Sequence, residues 1–437
     1  MEYLTSLLKK LKNDSNFNFH PKCERMQIVQ LSFADDLLLF SRGDTISVRL
    51  MFDIFQEFSL ASGLVANADK SSIYFGGAPT SIQNEILHDL GFSQGYLPFR
   101  YLGVPLSTKR VSILQYQPLI DKIMSRIQRW TFRFLSYAGR TQLIKSVLFS
   151  IQVIWSQVFV LPKKVVKCIA TLCRTFLWTR GVDASRKALI AWEHLCSPKI
   201  VGDLNILNIQ AWNKAAISKL LWNLSTKKDR LWVKWIHMYY GKQGTIWGVI
   251  TTQASWTVKK IMQMHKVFET IGWNEEYVKH IGKFSIKQLY KAIRGEYQKV
   301  EWRRFTCNNI ACPKWIFILY LALHSRLLTR DRLATWGCVE DIQCVLCRNE
   351  DENHNHLFFR CLFSSQVWQK IPRWQNINRK VKGWEEETSW ANTYCKGKQA
   401  KAEVYRITLA ASVYLIWQER NQRIFQKTAK TPAMLAK

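Results

Sequence analysis

Two short stretches of this chain carry residues whose types and spacing could do chemistry. The first is "CVLCRNEDENHNHLFFRC", residues 344–361. Cys344 and Cys347 form a C-x2-C turn, which lets two thiolates reach one ion. His356 then precedes Cys361 by about one helical turn and completes a second pair, with His354, two residues earlier, as the alternative histidine. Three soft sulfurs and one imidazole in a closed tetrahedron suit structural Zn²⁺. The competing reading is a loop of free cysteines, and the ligand-like spacing argues against it. The second stretch is "LSFADDLLLF", residues 31–40, where Asp35 and Asp36 interrupt an apolar run. Like charges this close repel unless a cation sits beside them. Mg²⁺ is the natural partner, being hard and content with one or two carboxylates plus phosphate oxygens. A pair of such ions serves phosphoryl transfer. Standing alone, the motif reads more readily as a solvated Asp-Asp turn than as a metal site.

These residues need elements to hold them. "MQIVQLSF" and "DLLLFSR" predict two strands around a tight acidic turn. "ISVRLMFDIFQEFSLASGL" places Val48, Phe52, Phe55 and Phe58 at helical spacing and stops at Ser62-Gly63. "SSIYFGG" reads as a short strand, and "GYLPFRYLGVPLS" as extended and turning. From about 116 to 180 the pattern predicts three helices, broken near Tyr137–Gly139 and at Leu161-Pro162. A further helix is expected in "IQAWNKAAISKLLWNLS", and short helices across residues 226–305. "PKWIFILYLALHSRLLTRDRLATWG" precedes the Cys/His cluster, and a final helix, "VYRITLAASVYLIWQERNQRIF", follows a polar linker. The fold class expected is mainly α with a small α+β N-terminal part.

Charge narrows the partners. The chain has 437 residues with 63 Lys plus Arg against 32 Asp plus Glu, a formal net charge of +31. That imbalance predicts attraction to polyanions, nucleic acid above all. Lys109, Arg110, Arg126, Arg129, Arg133, Arg140, Lys145, Lys163, Lys164, Lys167, Arg174 and Arg180 cluster between residues 109 and 180, interleaved with Trp130, Phe132, Phe134, Trp155 and Trp178. Arg126, Arg129 and Arg133 fall at i, i+3 and i+7, on one helix face, and such a face can track phosphates without reading bases. "MEYLTSLLKKLK" does not read as a secretory signal, and the best apolar run, "WIFILYLAL", is too short to cross a membrane. The expectation is an intracellular chain, nuclear or cytoplasmic, not secreted and without a membrane partner. In a reducing compartment its 11 Cys are metal ligands or free thiols before they are disulfides.

"FADDLLLF", "SGLVANADKSSIYFGG" and "LPFRYLGVPLSTKR" resemble the reverse transcriptases of non-LTR (LINE-type) retrotransposons, those of plants in particular. "SYAGRTQLIKSVLFSIQVIWSQVFVLPKKV", "CRTFLW" and "AWEHLCSPK" resemble that family's thumb and the region after it. The Cys/His stretch resembles the zinc-binding domain that follows plant reverse transcriptases. The resemblance implies that Asp35 and Asp36 match the paired catalytic aspartates of the palm, with Asp35 as the Mg²⁺ ligand, and that Lys70 of "NADKS" lies near the incoming nucleotide's phosphates. It implies that "RYLGV" helps hold the primer. It prefers His356 over His354, because "HLFFRC" matches the family's His-Leu-Phe-x-x-Cys half-site. The zinc ligands are then Cys344, Cys347, His356 and Cys361. Cys338 matches no ligand position, and Cys307 and Cys312 read as ordinary thiols.

The implied organisation is a partial reverse transcriptase palm over residues 1–110, a helical thumb and associated region over 111–225, a Trp/Lys-rich connection over 226–305, a zinc-binding domain over 306–375, and a linker with a terminal helix over 376–437. Lys109, Arg110, Arg126, Arg129, Arg133, Arg140 and Lys145 are expected to grip RNA, DNA or an RNA–DNA hybrid. A palm also needs an aspartate on a strand upstream of the hairpin, and only 34 residues precede Asp35. The sequence therefore reads as a truncated copy of an RNA-directed DNA polymerase with an incomplete Mg²⁺ site. The alternatives are a non-catalytic zinc protein that binds nucleic acid and a pseudogene product.

Overall fold

The computed structural model describes residues 2–101, 103–107, 110–181, 183, 188–227, 229–241, 246–249, 253–375, 377, 379–380, 382–397 and 399–436. Lys109, expected to bind nucleic acid, and Leu102 of "RYLGV" lie outside them. The chain is mainly helical, with three two-stranded sheets among the described residues. It divides into two compact units, Met1–Gln115 with Ala216–Ser285, and Tyr116–Ala215 with Ile286–Lys437.

In the first unit, the expected helix runs Thr45–Ser62. Its start is fixed by Asp44, whose side chain accepts the Ser47 N–H at 2.8 Å. Its end falls at Gly63, whose φ of +71° suits a residue without a Cβ. Phe58 joins Leu4, Leu7, Leu8, Leu11, Phe17 and Val29 in a core against which Leu37 and Leu39 pack. This core anchors an antiparallel hairpin, Gln30–Phe33 with Asp36–Leu39, in the register Phe33 opposite Asp36. The expected short strand is Ser72–Ile73, paired in parallel with Ser93–Gln94. "RYLGV" enters a second hairpin, Phe99–Tyr101 with Val104–Leu106.

In the second unit, the helix Gln117–Thr131 buries Leu119, Ile120, Ile123 and Ile127 along one face. The break expected near Tyr137–Gly139 lies upstream, between residues 132 and 136. Ser136 supplies the reason: its hydroxyl accepts the Gly139 N–H at 3.2 Å, so it caps the next helix and Gly139 sits inside it. That helix, Tyr137–Leu143, passes through a π-helical turn, Ile144–Leu148, into Phe149–Val158. The second break is where Pro162 puts it, ahead of Lys163–Thr179. Pro313–Leu323 packs against both Tyr137–Leu143 and the terminal helix Ala400–Phe425, and Tyr137 stacks on Phe317 with ring centres 5.3 Å apart. No helix among the described residues is long and apolar enough to cross a membrane.

Candidate metal centre and nucleic-acid surface

The Cys/His stretch folds as a tight knuckle followed by a helical turn. Gln343 bridges Asp351 in antiparallel fashion, and inside that bridge the Cys344 N–H donates to the Glu350 carbonyl at 2.8 Å. The Arg348 N–H donates back to the Cys344 carbonyl at 2.8 Å, which curls Cys344–Cys347 around one point. Asn353 then accepts the His356 N–H at 2.9 Å and starts a π-helical turn, His356–Arg360. The Cys361 N–H closes that turn on the His356 carbonyl at 2.7 Å. The wider π turn brings residues five apart to the same side, and such turns recur at functional sites.

The outcome is convergence. One donor atom each from Cys344, Cys347, His356 and Cys361 lies within 4.8 Å of all the others. The Cys344 and Cys361 sulfurs are 3.9 Å apart, and the Cys347 sulfur is 3.2 Å from His356 Nε2. A tetrahedron with Zn–S bonds of about 2.3 Å has S···S edges of about 3.8 Å. Cys344 and Cys361 are fully buried and His356 is nearly so. The set therefore fits Zn²⁺ in a closed structural site. Two supports lie beyond the donors. Glu350 holds His356 Nδ1 at 2.9 Å, which leaves Nε2 for an ion. Glu352, fully buried, pairs with Arg420 at 2.8 Å and accepts the Arg330 N–H at 2.9 Å, tying the knuckle to the terminal helix. Ligand spacing points to neither acid, since both sit within the acidic, polar run "RNEDENHN".

His354 is not in the set. Its ring meets Trp384 edge-on at 4.3 Å and Phe358 at 5.1 Å, and burial pushes its imidazole down to about 4. The hydrogen bond between the Cys344 and Cys361 sulfurs raises the pKa of the former and lowers that of the latter. Cys361 is also favoured as a thiolate by the N–H groups of Phe363 and Ser364 at the start of the following helix. Cys338 is exposed and stands outside the cluster, as do Cys307 and Cys312.

The acidic hairpin differs. Ala34 and Asp35 form its two-residue loop, and Ala34 takes φ of +50°, where glycine is usual. Asp35 and Asp36 are both exposed. Lys70 is exposed in a turn capped by Asn67, and among the described residues no ion pair joins it to either aspartate. The Cys3His set is the only group of three or more His, Cys, Asp or Glu ligands that converges among the described residues. Two carboxylates without a third do not fit a two-metal centre.

The cationic residues separate into two kinds. Arg110, Arg126, Arg129 and Arg133 are exposed, as are Lys163, Lys164 and Lys167. Arg133 does not share the helical face of Arg126 and Arg129, however. The helix ends at Thr131, and the Arg133 N–H closes a turn on the Trp130 carbonyl at 3.1 Å. Arg133 instead stands between Phe132 and Phe134, which are 89% and 95% exposed. Arg140 and Lys145 depart further from expectation. Arg140 is 3% exposed, donates to the Phe176 carbonyl at 3.2 Å and lies 4.4 Å over the Tyr137 ring. Burial pushes its guanidinium down to about 10. Lys145 is half-buried with its ammonium on the Leu204 carbonyl, and burial pushes it down to about 8. Both are spent on the interior, because the helix that carries them is covered on that side. Trp155 and Trp178 are core residues for the same reason.

Comparison with known proteins bears on the knuckle. Residues 284–368 match the family described as zinc-binding in reverse transcriptase, and all four converging ligands lie in that segment. Over 129 residues the chain is 33% identical to the Arabidopsis thaliana protein named "Putative ribonuclease H protein", covering 30% of this chain. The chain spans only 21% of that relative's length. The matched segment is thus related to a domain found in reverse transcriptases, and its Cys3His geometry supports structural zinc.

Proposed function

We propose that the chain derives from the reverse transcriptase of a plant non-LTR (LINE-type) retrotransposon, and that it binds RNA, DNA or an RNA–DNA hybrid without polymerising. In this reading residues 1–110 are part of a palm, 111–225 a thumb, 226–305 a connection, 306–375 the zinc-binding domain and 376–437 a linker and terminal helix. Cys344, Cys347, His356 and Cys361 hold one Zn²⁺ that shapes the domain and catalyses nothing, since four protein ligands leave no position for water. Asp35, Asp36 and Lys70 are the remnant of the polymerase site. The observation that carries the reading is a four-ligand cluster inside the segment that matches a reverse transcriptase zinc domain.

The charge supplies the ligand. Arg126, Arg129 and Arg133, with Lys163, Lys164 and Lys167, offer exposed cations with no acidic partner among the ion pairs of the described residues. Arg110 offers another, its guanidinium 5.4 Å from the Trp256 ring. The relative's name points to hybrid as the substrate class to test first. Fluorescence anisotropy with a blunt RNA–DNA hybrid across a salt series tests the reading. Counterion release predicts that log K falls linearly with log salt, by about 0.9 per phosphate contact on B-DNA. Salt-independent binding, or none at low salt, overturns it.

A further inference from the structure

The second unit contains a cavity of about 240 Å³ between the start of the Tyr137–Leu143 helix, the end of Lys163–Thr179, and the helices Pro313–Leu323 and Ala400–Phe425. We infer that this cavity takes one unpaired nucleotide of the bound strand, its base against the aromatic wall and its phosphate on the cations at the mouth. The inference rests on the proposed nucleic-acid binding and adds a site to it.

The lining is of two kinds. Tyr137, Trp178, Phe317 and Tyr414 provide ring surface, and the exposed Arg180 and Lys314 provide positive charge at the mouth, with no acidic side chain among the lining residues. Aromatic surface with cations and no acid fits a planar, anionic ligand. The volume sits below the roughly 300 Å³ at which drug-sized pockets begin, so the cavity takes a base, with its phosphate left at the mouth, and not a duplex. Arg180 stands exposed at the edge, its guanidinium 5.8 Å from the Phe134 ring. Phe134 is 95% exposed, so a flanking base can stack on the same pair.

The test compares a blunt RNA–DNA hybrid with the same hybrid carrying one unpaired 2-aminopurine nucleotide at its end. With the wild-type chain, the overhang should strengthen binding by about tenfold, and the 2-aminopurine fluorescence should be quenched. Ala138→Phe, which fills the cavity from its wall, should remove both effects and leave blunt-hybrid affinity unchanged. Tyr414→Ala should reduce the quenching, and it serves if Ala138→Phe fails to fold. Equal affinity for both hybrids with undiminished fluorescence overturns the cavity assignment while leaving duplex binding intact. Failure of the blunt hybrid to bind overturns the proposed function instead. The cavity is then read separately, by titrating 2-aminopurine riboside 5′-monophosphate alone: no saturable quenching, or the same quenching in Ala138→Phe, overturns it.

Discussion

The acidic hairpin and the Cys/His knuckle are both tight turns that place charge-bearing ligands side by side, and they come out opposite. In the knuckle, four donors from one 18-residue stretch converge within 4.8 Å, three of them buried, with Glu350 and Asn353 orienting the histidine. In the hairpin, Asp35 and Asp36 face solvent and no third ligand joins them among the described residues. The difference teaches where a site's completeness resides. A structural zinc site can be built wholly from local chain, so its residues carry it as a unit. A two-metal site needs carboxylates brought together from separate segments, so a single motif supplies only a share of one.

The largest expected effect strengthens that contrast. Chelating the metal should release the knuckle, because the binding free energy of a structural Zn²⁺ (about 10–16 kcal/mol in zinc-finger peptides) is folding free energy. Hydrogen exchange should rise sharply across residues 342–361 and stay unchanged across the hairpin, residues 30–39. Equal loosening of both would erase the distinction. Next in size is the basic surface. Replacing Arg126, Arg129 and Arg133 together with Ala should lower the salt slope on blunt hybrid by up to about 2.7, at about 0.9 per phosphate contact. An unchanged slope would move the contact surface elsewhere. Arg140→Met should do the reverse, lowering stability by about 1–3 kcal/mol through the lost bond to the Phe176 carbonyl, with the slope retained; urea denaturation and the same salt series read both. Glu350→Gln should weaken zinc by about 10- to 100-fold, measured by competition with a chelator.

The smallest effect concerns Lys145. Burial holds it at about 8 in the folded chain, below its ordinary value of 10.5. Between those values the unfolded chain binds more protons, so folding stability should rise as pH increases through that window. Lys145→Met should flatten the rise relative to wild type in urea midpoints at pH 7.5 and 10. An identical rise in both proteins would show that the ammonium is solvated.

Local pattern made much of this legible. The Phe-rich helix after the hairpin, its Gly63 stop, the hairpin itself and the Cys/His set follow from spacing within a few residues. What spacing missed depended on partners far away in sequence. Arg140 reads as a surface cation until Phe176 and Tyr137 cover it. Arg133 reads as helical until the chain turns at Phe132 to reach the Ser136 cap. Glu352 reads as one more acid in a polar loop until Arg420, 68 residues on, pairs with it in the interior. The sequence resemblance prefers the histidine that joins the converging set, a preference spacing alone does not give; the geometric reason for its place there is the Asn353 cap and the π turn that follows it.

The central claim is that the one converging ligand set among the described residues is a closed zinc site through His356. Metal content of the purified chain, measured by mass spectrometry for wild type, His356→Ala and His354→Ala, tests it most directly. The account predicts one zinc per chain in wild type and His354→Ala, and none in His356→Ala. Zinc lost in His354→Ala but kept in His356→Ala, or no zinc in the wild-type chain, would contradict it.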